Sequence, residues 1–329
     1  MKKALIASTA LLLTAGVAAA DVTISGYGRT GIIYVQDRGG DDSDANNAQV
    51  VSRLRMNLDA STSTDSGIDF GARFRLQWDQ GHGTRGERAS TNAGKLWISS
   101  QGLTVEVGNV DTAFDSNGLI YETELGAFDR SVGFSDVAGA FFAYESGPYS
   151  DVDRVGVRAL YTVDNLTVQG SFVDPDQSGF NEVGGFTEEE FGVSIDYKWD
   201  DRLELSAAAA FNGAGIDGND IFFLGARYAV AENARVGLNY VDTGSEGDIA
   251  YIGSTVAIYG DYTLADGRTN LEGYVAYNDA DRDIALWKET NTAFGIGVNY
   301  DLGGARLGAS LQRGYDKNTT ADMGVRFNF

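Results

Sequence analysis

Residues 191–199 read FGVSIDYKW, and their alternation indicates the class of fold. Every second residue from Phe191 to Trp199 is apolar, and glycine, serine, aspartate and lysine stand between them. Residues 70–78, FGARFRLQW, repeat the pattern with two arginines on the polar side. Successive side chains of a strand point to opposite faces of the sheet, so the pattern predicts strands with one apolar and one polar face.

The composition of the polar face favours a membrane barrel over a soluble sandwich. Charges and glycines occupy that face over whole strands, as they do in the wall of a water-filled lumen. The apolar face ends in aromatic residues, and Phe70 and Trp78 lie ~26 Å apart along an extended strand. A tilt of about 40° reduces this distance to roughly 20 Å, close to the apolar band of an outer-membrane barrel with its aromatic girdles.

The first twenty residues have the features of a signal peptide. Lys2 and Lys3 form a charged start, residues 4–17 are mostly apolar, and residues 18–20 are alanines that suit cleavage before Asp21. We therefore expect a signal peptide at 1–20 and a single transmembrane barrel domain at 21–329. No later apolar run approaches the ~20 residues that a membrane helix requires.

Composition excludes several classes of function. The net charge of −22 argues against nucleic-acid binding and favours partners that bring cations, such as divalent ions at a polyanionic lipopolysaccharide surface. Without cysteine and with one histidine the chain has no zinc motif. That histidine, His82, stands in a glycine-flanked loop, so a serine hydrolase is disfavoured. A carboxylate-pair enzyme stays open, because 47 acidic residues make any one pair uninformative.

The connections between the predicted strands alternate in length. The short turns are residues 63–67, 101–102, 164–165, 200–201, 231–233, 265–268 and 302–304. The longer polar loops are residues 37–48, 80–93, 110–151, 174–188, 213–219, 243–248, 279–289 and 316–319. Seven turns and eight loops separate sixteen strands. A hairpin with its loop takes about 38 residues, so the mature length also holds about eight hairpins.

Four segments carry a resemblance to a known family. They are TDSGIDFG at 64–71, VEVGN at 105–109, YDLGG at 300–304 and MGVRFNF at 323–329. In their order and spacing, over the whole mature length, they resemble bacterial porins of the alphaproteobacterial, Rhodobacter type. The resemblance implies an all-β, 16-stranded antiparallel transmembrane β-barrel in the outer membrane, with the third loop folded into the pore. It also implies a homotrimer and calcium bound near acidic loops.

The function that the resemblance implies is general diffusion of small hydrophilic solutes and ions through a water-filled channel. A substrate-specific outer-membrane channel is the nearest alternative, but it usually needs a track such as stacked aromatics, and the sequence does not place one. A closed adhesive barrel would fill its interior with bulky side chains, whereas the inward positions here are largely glycine, serine, asparagine and charged residues. We therefore expect transport without a reaction and without a cofactor.

Inward charges predict the narrowest part of the pore. Alternation places five arginines inward on the first three strands: Arg29, Arg53, Arg55, Arg73 and Arg75. The loop at 110–151 is rich in acids and also holds too many aromatic residues for a loop in water. We expect it to fold inward and to set three acids across the constriction from the arginines: Glu122, Glu124 and Asp129.

Two further expectations concern bound partners. Calcium prefers six to eight oxygen ligands, and acidic residues cluster at 37–44 and 111–124, so Asp111 and Asp115 are candidate calcium ligands. A solvated acidic loop explains these clusters equally well. The trimer expectation has one physical support: small outward residues near the barrel seam, which let neighbouring walls approach closely. These residues are Gly26, Gly28, Ala305 and Ala309.

Overall fold

The computed structural model describes residues 21–38, 45–80, 89–149, 153–179, 187–244, 252–281 and 288–329. Most of these residues form antiparallel strands of one sheet. The expected signal peptide at 1–20 and His82 lie outside the described residues, so cleavage before Asp21 stays a prediction. No helix in the described ranges is long and apolar enough to cross a membrane.

Within these ranges the chain forms seventeen strand segments. They are β1 Asp21–Val35, β2 Ala48–Ser63, β3 Asp69–Gln80, β4 Ser90–Thr91, β5 Lys95–Ser100, β6 Leu103–Gly108, β7 Val155–Val163, β8 Leu166–Asp174, β9 Glu190–Trp199, β10 Leu203–Phe211, β11 Ile221–Ala231, β12 Ala234–Asp242, β13 Ser254–Thr263, β14 Thr269–Asn278, β15 Thr292–Asp301, β16 Ala305–Arg313 and β17 Thr319–Asn328. Both β4 and β5 pair with β3, so they are two pieces of one barrel strand.

The sheet closes on itself, because β1 pairs with β2 on one side and with β17 on the other. Counting β4 and β5 together gives sixteen barrel strands in the described part of the chain, and this confirms the predicted fold. The predicted loop at 80–93 is wrong at its end, where Thr91 pairs with Leu76 and Ser90 with Gln77. This two-residue strand is too short to show as alternation.

Tight turns hold the strands in register at one end of the barrel. In the turn between β5 and β6, Gln101 and Gly102 have φ values of 50° and 85°, the combination that suits a two-residue hairpin. A Cβ at Gly102 would lie 2.5 Å from the carbonyl oxygen of Thr162, so the position requires glycine. The predicted short turns all fall between paired strands, and this confirms the alternation of turns and loops.

The outer face of the barrel is apolar and exposed. Trp199 is 58 % exposed on this face, whereas Glu190 on the inner face of the same strand is 1 % exposed. Exposed aromatics form two belts. On the turn side they are Tyr161, Tyr197, Trp199, Tyr228, Tyr262, Tyr300 and Phe327, and on the loop side Phe191, Phe211, Phe222, Tyr277 and Phe294. An apolar band between aromatic girdles is the surface that a barrel presents to a bilayer.

The main apolar core lies inside the barrel. Residues of the third loop, including Phe114, Ile120 and Phe134, are fully buried against inward side chains of β11 to β15. The loop is also hydrogen-bonded to the far wall: Asn239 of β12 donates to the Leu119 carbonyl (2.6 Å), and Ala127 N–H donates to Asp322 of β17 (2.9 Å). The third loop is therefore folded into the pore, as predicted.

Candidate functional site

The first wall of the lumen is built from β1, β2 and β3. The cross-strand register pairs Arg29 with Arg53, and Arg55 lies diagonally to Arg75 through the pairs Arg55–Gln77 and Asn57–Arg75. Directly opposite and diagonal neighbours on one face of a sheet lie ~5–8 Å apart. The five predicted arginines therefore share one patch of the inner wall, which we call the arginine wall.

Two of these arginines are neutralised on the same wall. Arg53 Nε lies 2.5 Å from an oxygen of Asp79, and Arg73 Nε lies 2.7 Å from an oxygen of Asp59. These two acids are not among the predicted site residues, although the same alternation places both of them inward. The positive charge of this wall is therefore smaller than the arginines alone suggest.

The other three arginines have neutral hydrogen-bond partners. Arg29 Nη1 donates to the carbonyl of Phe128 (2.9 Å). Arg55 donates to Gln77 (2.6 Å) and to the Ser146 hydroxyl (3.2 Å), and Arg75 donates to Asn57 and to the same hydroxyl (both 2.9 Å). None of the three contacts a carboxylate in the described part of the chain. They carry the uncompensated positive charge of the wall.

The predicted acids lie on the third loop and contact the opposite side of the lumen. Glu122 is paired with Arg227 of β11, which also binds Glu204. Asp129 bridges two arginines, Arg306 of β16 (2.6 Å) and Arg326 of β17. The structure therefore brings the acids and the predicted arginines into one lumen, but Glu122 and Asp129 are in direct contact with cations that are not among the predicted arginines.

Glu124 differs from its two neighbours on the loop. It is half-buried, and no arginine or lysine in the described ranges forms an ion pair with it. Burial, together with the nearby carboxylates of Asp129 and Asp136, raises the pKa of Glu124 to about 8, against a hydrogen bond from Ser135 and the positive charge of Arg29. Glu124 is thus largely protonated at neutral pH and gains charge in mild alkali.

A cavity of ≈ 250 Å³ lies beside the loop acids. Its lining includes Glu122, Glu124 and Asp129 from the loop, and Arg235, Asp261 and Glu272 from the wall. Arg235 pairs with Asp261 at 2.8 Å, and Glu272 accepts a hydrogen bond from Asn299 at 2.6 Å. Five carboxylates and one arginine thus line this cavity, and Arg227, Arg306 and Arg326 pair with two of the five from outside the lining.

An ion-pair network holds the loop where it leaves the wall. Glu106 binds Lys95 at 2.9 Å and Arg158 at 2.8 Å, and all three side chains are buried. Asp111 lies at the edge of this network, 3.4 Å from Lys95 and 3.7 Å from Arg158. The network fixes the start of the third loop against β5, β6 and β7.

Each of the two candidate calcium ligands is engaged by other side chains. Asp111 faces the two cations just described, and Asp115 accepts a hydrogen bond from Tyr121 (2.5 Å), while burial raises the pKa of Asp115 to about 6. In the part of the chain that the structure describes, no three histidine, cysteine, aspartate or glutamate side chains are grouped closely enough to hold a metal ion. Residues 39–44, the other acidic cluster, lie outside the described residues.

Comparisons with known proteins agree with this architecture. Residues 7–324 match the family model described as Gram-negative porin. A porin of Fuscovulum blasticum is 39% identical over 315 residues, which cover 94% of this chain and 100% of that protein. A porin of Rhodobacter capsulatus is 27% identical over 347 residues, with 94% of this chain and 100% of that protein covered.

Solved structures that resemble this chain cover the same share of it as the sequence relatives do. A triple mutant of Rhodopseudomonas blastica porin superposes with a TM-score of 0.82 at 37% identity, and the match covers 94% of this chain and 100% of that chain. A second mutant of that porin matches with the same TM-score, identity and coverage. With a closed barrel, an apolar outer band and an inward loop, the chain belongs to the Gram-negative porin family.

Proposed function

We propose that this outer-membrane porin is a general diffusion pore that selects small hydrophilic solutes and ions by width and by charge at a constriction. One observation carries the proposal: the third loop lies inside the lumen and narrows a passage with uncompensated arginines on one side and excess carboxylates on the other. Passage is passive, and no reaction or cofactor takes part in it.

The constriction works through a transverse field. Arg29, Arg55 and Arg75 form its positive edge, with Arg53 and Arg73 contributing less because each is paired with an aspartate. The negative edge is formed by Glu122 and Asp129 together with the wall acids, and Glu124 adds its charge to this edge in mild alkali. Two opposite unit charges about 8 Å apart interact by roughly 2 kcal/mol at an effective dielectric constant of 20.

Such a field aligns dipolar solutes and orders water, so apolar molecules must displace bound water to pass. The net charge of −22 gives the pore a modest preference for cations. This preference shrinks with salt, because the Debye length falls from ~10 Å at 0.1 M to ~3 Å at 1 M.

The partners that we propose are two further copies of the chain and the lipids of the outer membrane, lipopolysaccharide included. Ala305 and Ala309 support close contact between barrels, since both are small outward residues of β16 next to the seam. Gly28 does not add to this surface: a Cβ there would lie 2.5 Å from the ring of Phe327, which covers the glycine from outside. Native mass measurement in mild detergent tests the trimer, and a monomer would contradict it.

Structural calcium remains part of the proposal, without assigned ligands. Acidic loop residues outside the described ranges, such as Asp41, Asp42 and Asp44, are the candidates that the structure leaves open. Thermal unfolding with calcium and with a chelator tests it, and an unfolding temperature that is the same in both would contradict it.

Single-channel recording in planar bilayers tests the transport function. We expect long-lived open steps whose conductance rises with salt concentration and which need no energy source. Purified, folded protein that inserts into the bilayer without conducting ions would contradict the proposal.

A further inference from the structure

The arginine wall has a feature that a transverse field does not require. Two guanidinium groups converge on one neutral oxygen: Arg55 Nη2 and Arg75 Nη1 donate to the Ser146 hydroxyl at 3.2 and 2.9 Å. Guanidinium groups prefer charged oxygen acceptors, and they bind carboxylate or phosphate oxygens with two parallel bonds. A hydroxyl between two guanidinium groups is a weak partner in a place that suits an anionic oxygen.

Each of these arginines is held in place by its neighbours. Arg55 donates Nε to Gln77 (2.6 Å), and its guanidinium carbon lies 5.2 Å from the centre of the Tyr27 ring. Arg75 donates Nε to Asn57 (2.9 Å), and its guanidinium carbon lies 4.2 Å from the centre of the Tyr144 ring. Cation–π contacts and neutral amides orient both groups without cancelling their charge. Both side chains remain half-buried.

Neighbouring charges favour an anion with more than one negative charge. Arg29 and Arg53 lie within electrostatic range of Arg55, and Asp79 compensates only Arg53. Arg29 has one hydrogen bond, to a carbonyl, and lies over the rings of Tyr27 and Phe128, while its Nε is buried without a partner in the described ranges. Asp111 is within electrostatic range of Arg75, but its contacts are to Lys95 and Arg158. The carboxylate of Glu145, next to Ser146, accepts from backbone N–H groups instead of from an arginine.

We propose that Arg55 and Arg75 form a binding subsite for a phosphate group, either inorganic phosphate or a phosphate monoester, on the wall of the pore. A phosphate oxygen takes the position of the Ser146 hydroxyl, and the remaining terminal oxygens accept from Nη1 of Arg55 and Nη2 of Arg75, which have no hydrogen-bond partner among the described residues. A carboxylate has only two oxygens, which are too few to accept from both guanidinium groups in this way. The subsite rests on the proposed pore function. It gives a pore that prefers cations a binding position for solutes that carry a phosphate group.

Phosphate block of the chloride current tests the subsite. Single channels are recorded in potassium chloride while inorganic phosphate replaces part of the chloride at constant ionic strength. We expect a saturable block in the wild type. In the R55Q/R75Q double variant the half-blocking concentration should rise about tenfold or more, because the loss of even one charge-assisted hydrogen bond weakens binding about tenfold. Glycerol phosphate should block the wild type over a similar range.

The R73Q variant is the matched control. It removes one positive charge from the same wall, but Arg73 is paired with Asp59 and does not contact Ser146. A long-range field predicts that R73Q weakens the block as much as R55Q alone does, whereas a contact site predicts a much larger effect of R55Q. A second variant, S146A, removes the competing hydroxyl and should lower the half-blocking concentration.

The same recordings distinguish a failure of the proposed subsite from a failure of the proposed pore function. If the wild type conducts ions but phosphate blocks it no better than it blocks R55Q/R75Q, the subsite is wrong and the pore stands. Equal effects of R73Q and R55Q would also overturn it, because they indicate a field without a site. Absence of conductance in all variants would instead refute the proposed pore.

Discussion

The two sides of the lumen hold their charges in different ways. On the arginine wall, Arg29, Arg55 and Arg75 are bonded to carbonyl, amide and hydroxyl oxygens. On the side of the third loop, Glu122 and Asp129 are in direct contact with arginines of the barrel wall. Rigid strands can hold like charges next to one another, because each backbone is fixed by its neighbours. A loop that crosses an open lumen needs its charges to attach it.

The largest effect is expected from breaking the attachment of the loop. In the E106Q variant Lys95 and Arg158 stay buried with Asp111, at 3.4 and 3.7 Å, as their remaining carboxylate. Loss of one partner of a buried ion pair costs about 3–5 kcal/mol. We expect a correspondingly lower free energy of unfolding in urea titrations in lipid vesicles. Single channels of the variant should also show larger current fluctuations, as the loop moves.

The E289Q variant is its control. Glu289 lies 3.5 Å from Lys317 in an exposed pair, and such pairs contribute about 0–1 kcal/mol. Equal stability of E106Q and E289Q would show that the buried network does not hold the loop.

The next prediction compares arginines that contact no carboxylate with arginines that are paired with one. We expect R55Q/R75Q to shift the permeability ratio toward cations by about twofold for each lost charge, because a unit charge about 8 Å away contributes ~0.5 kcal/mol in water. Removal of the whole Arg73–Asp59 pair in the R73Q/D59N variant leaves the net charge of the wall unchanged and should leave the ratio near that of the wild type. Reversal potentials in dilute salt measure both, and similar shifts in the two variants would contradict the distinction.

Sequence reasoning reached the fold because its signals are local. Alternation and turn residues appear within ten residues of one another, and they placed the turns and the inward arginines. The same alternation puts Asp59 and Asp79 inward, so the sequence could have predicted their pairing with Arg73 and Arg53. The partners of Glu122 and Asp129 could not be predicted in this way. Arg227, Arg306 and Arg326 contact these acids only because of the path that the loop takes across the lumen.

A smaller effect concerns the pH dependence of the loop side. The pKa of Glu124 is raised to about 8, so its carboxyl group loses its proton as pH rises from 7 to 9. The added negative charge should increase cation preference over this range, and E124Q should remove the increase. The free energy of unfolding changes in the opposite direction. Between the ordinary pKa of glutamate and 8, the unfolded chain binds fewer protons than the folded chain. Stability therefore falls as pH rises through this window. A pH-independent reversal potential in the wild type would contradict the assignment.

The reversal potential across a potassium chloride gradient in dilute salt tests the two-sided constriction most directly. We expect E122Q/E124Q, measured at pH 9 where both acids are charged in the wild type, to shift it toward anions. R55Q/R75Q should shift it toward cations, and both shifts should shrink at 1 M salt, where the Debye length is ~3 Å. If neither double variant moves the reversal potential in dilute salt, these residues do not line the narrowest part of the pore, and the constriction lies elsewhere.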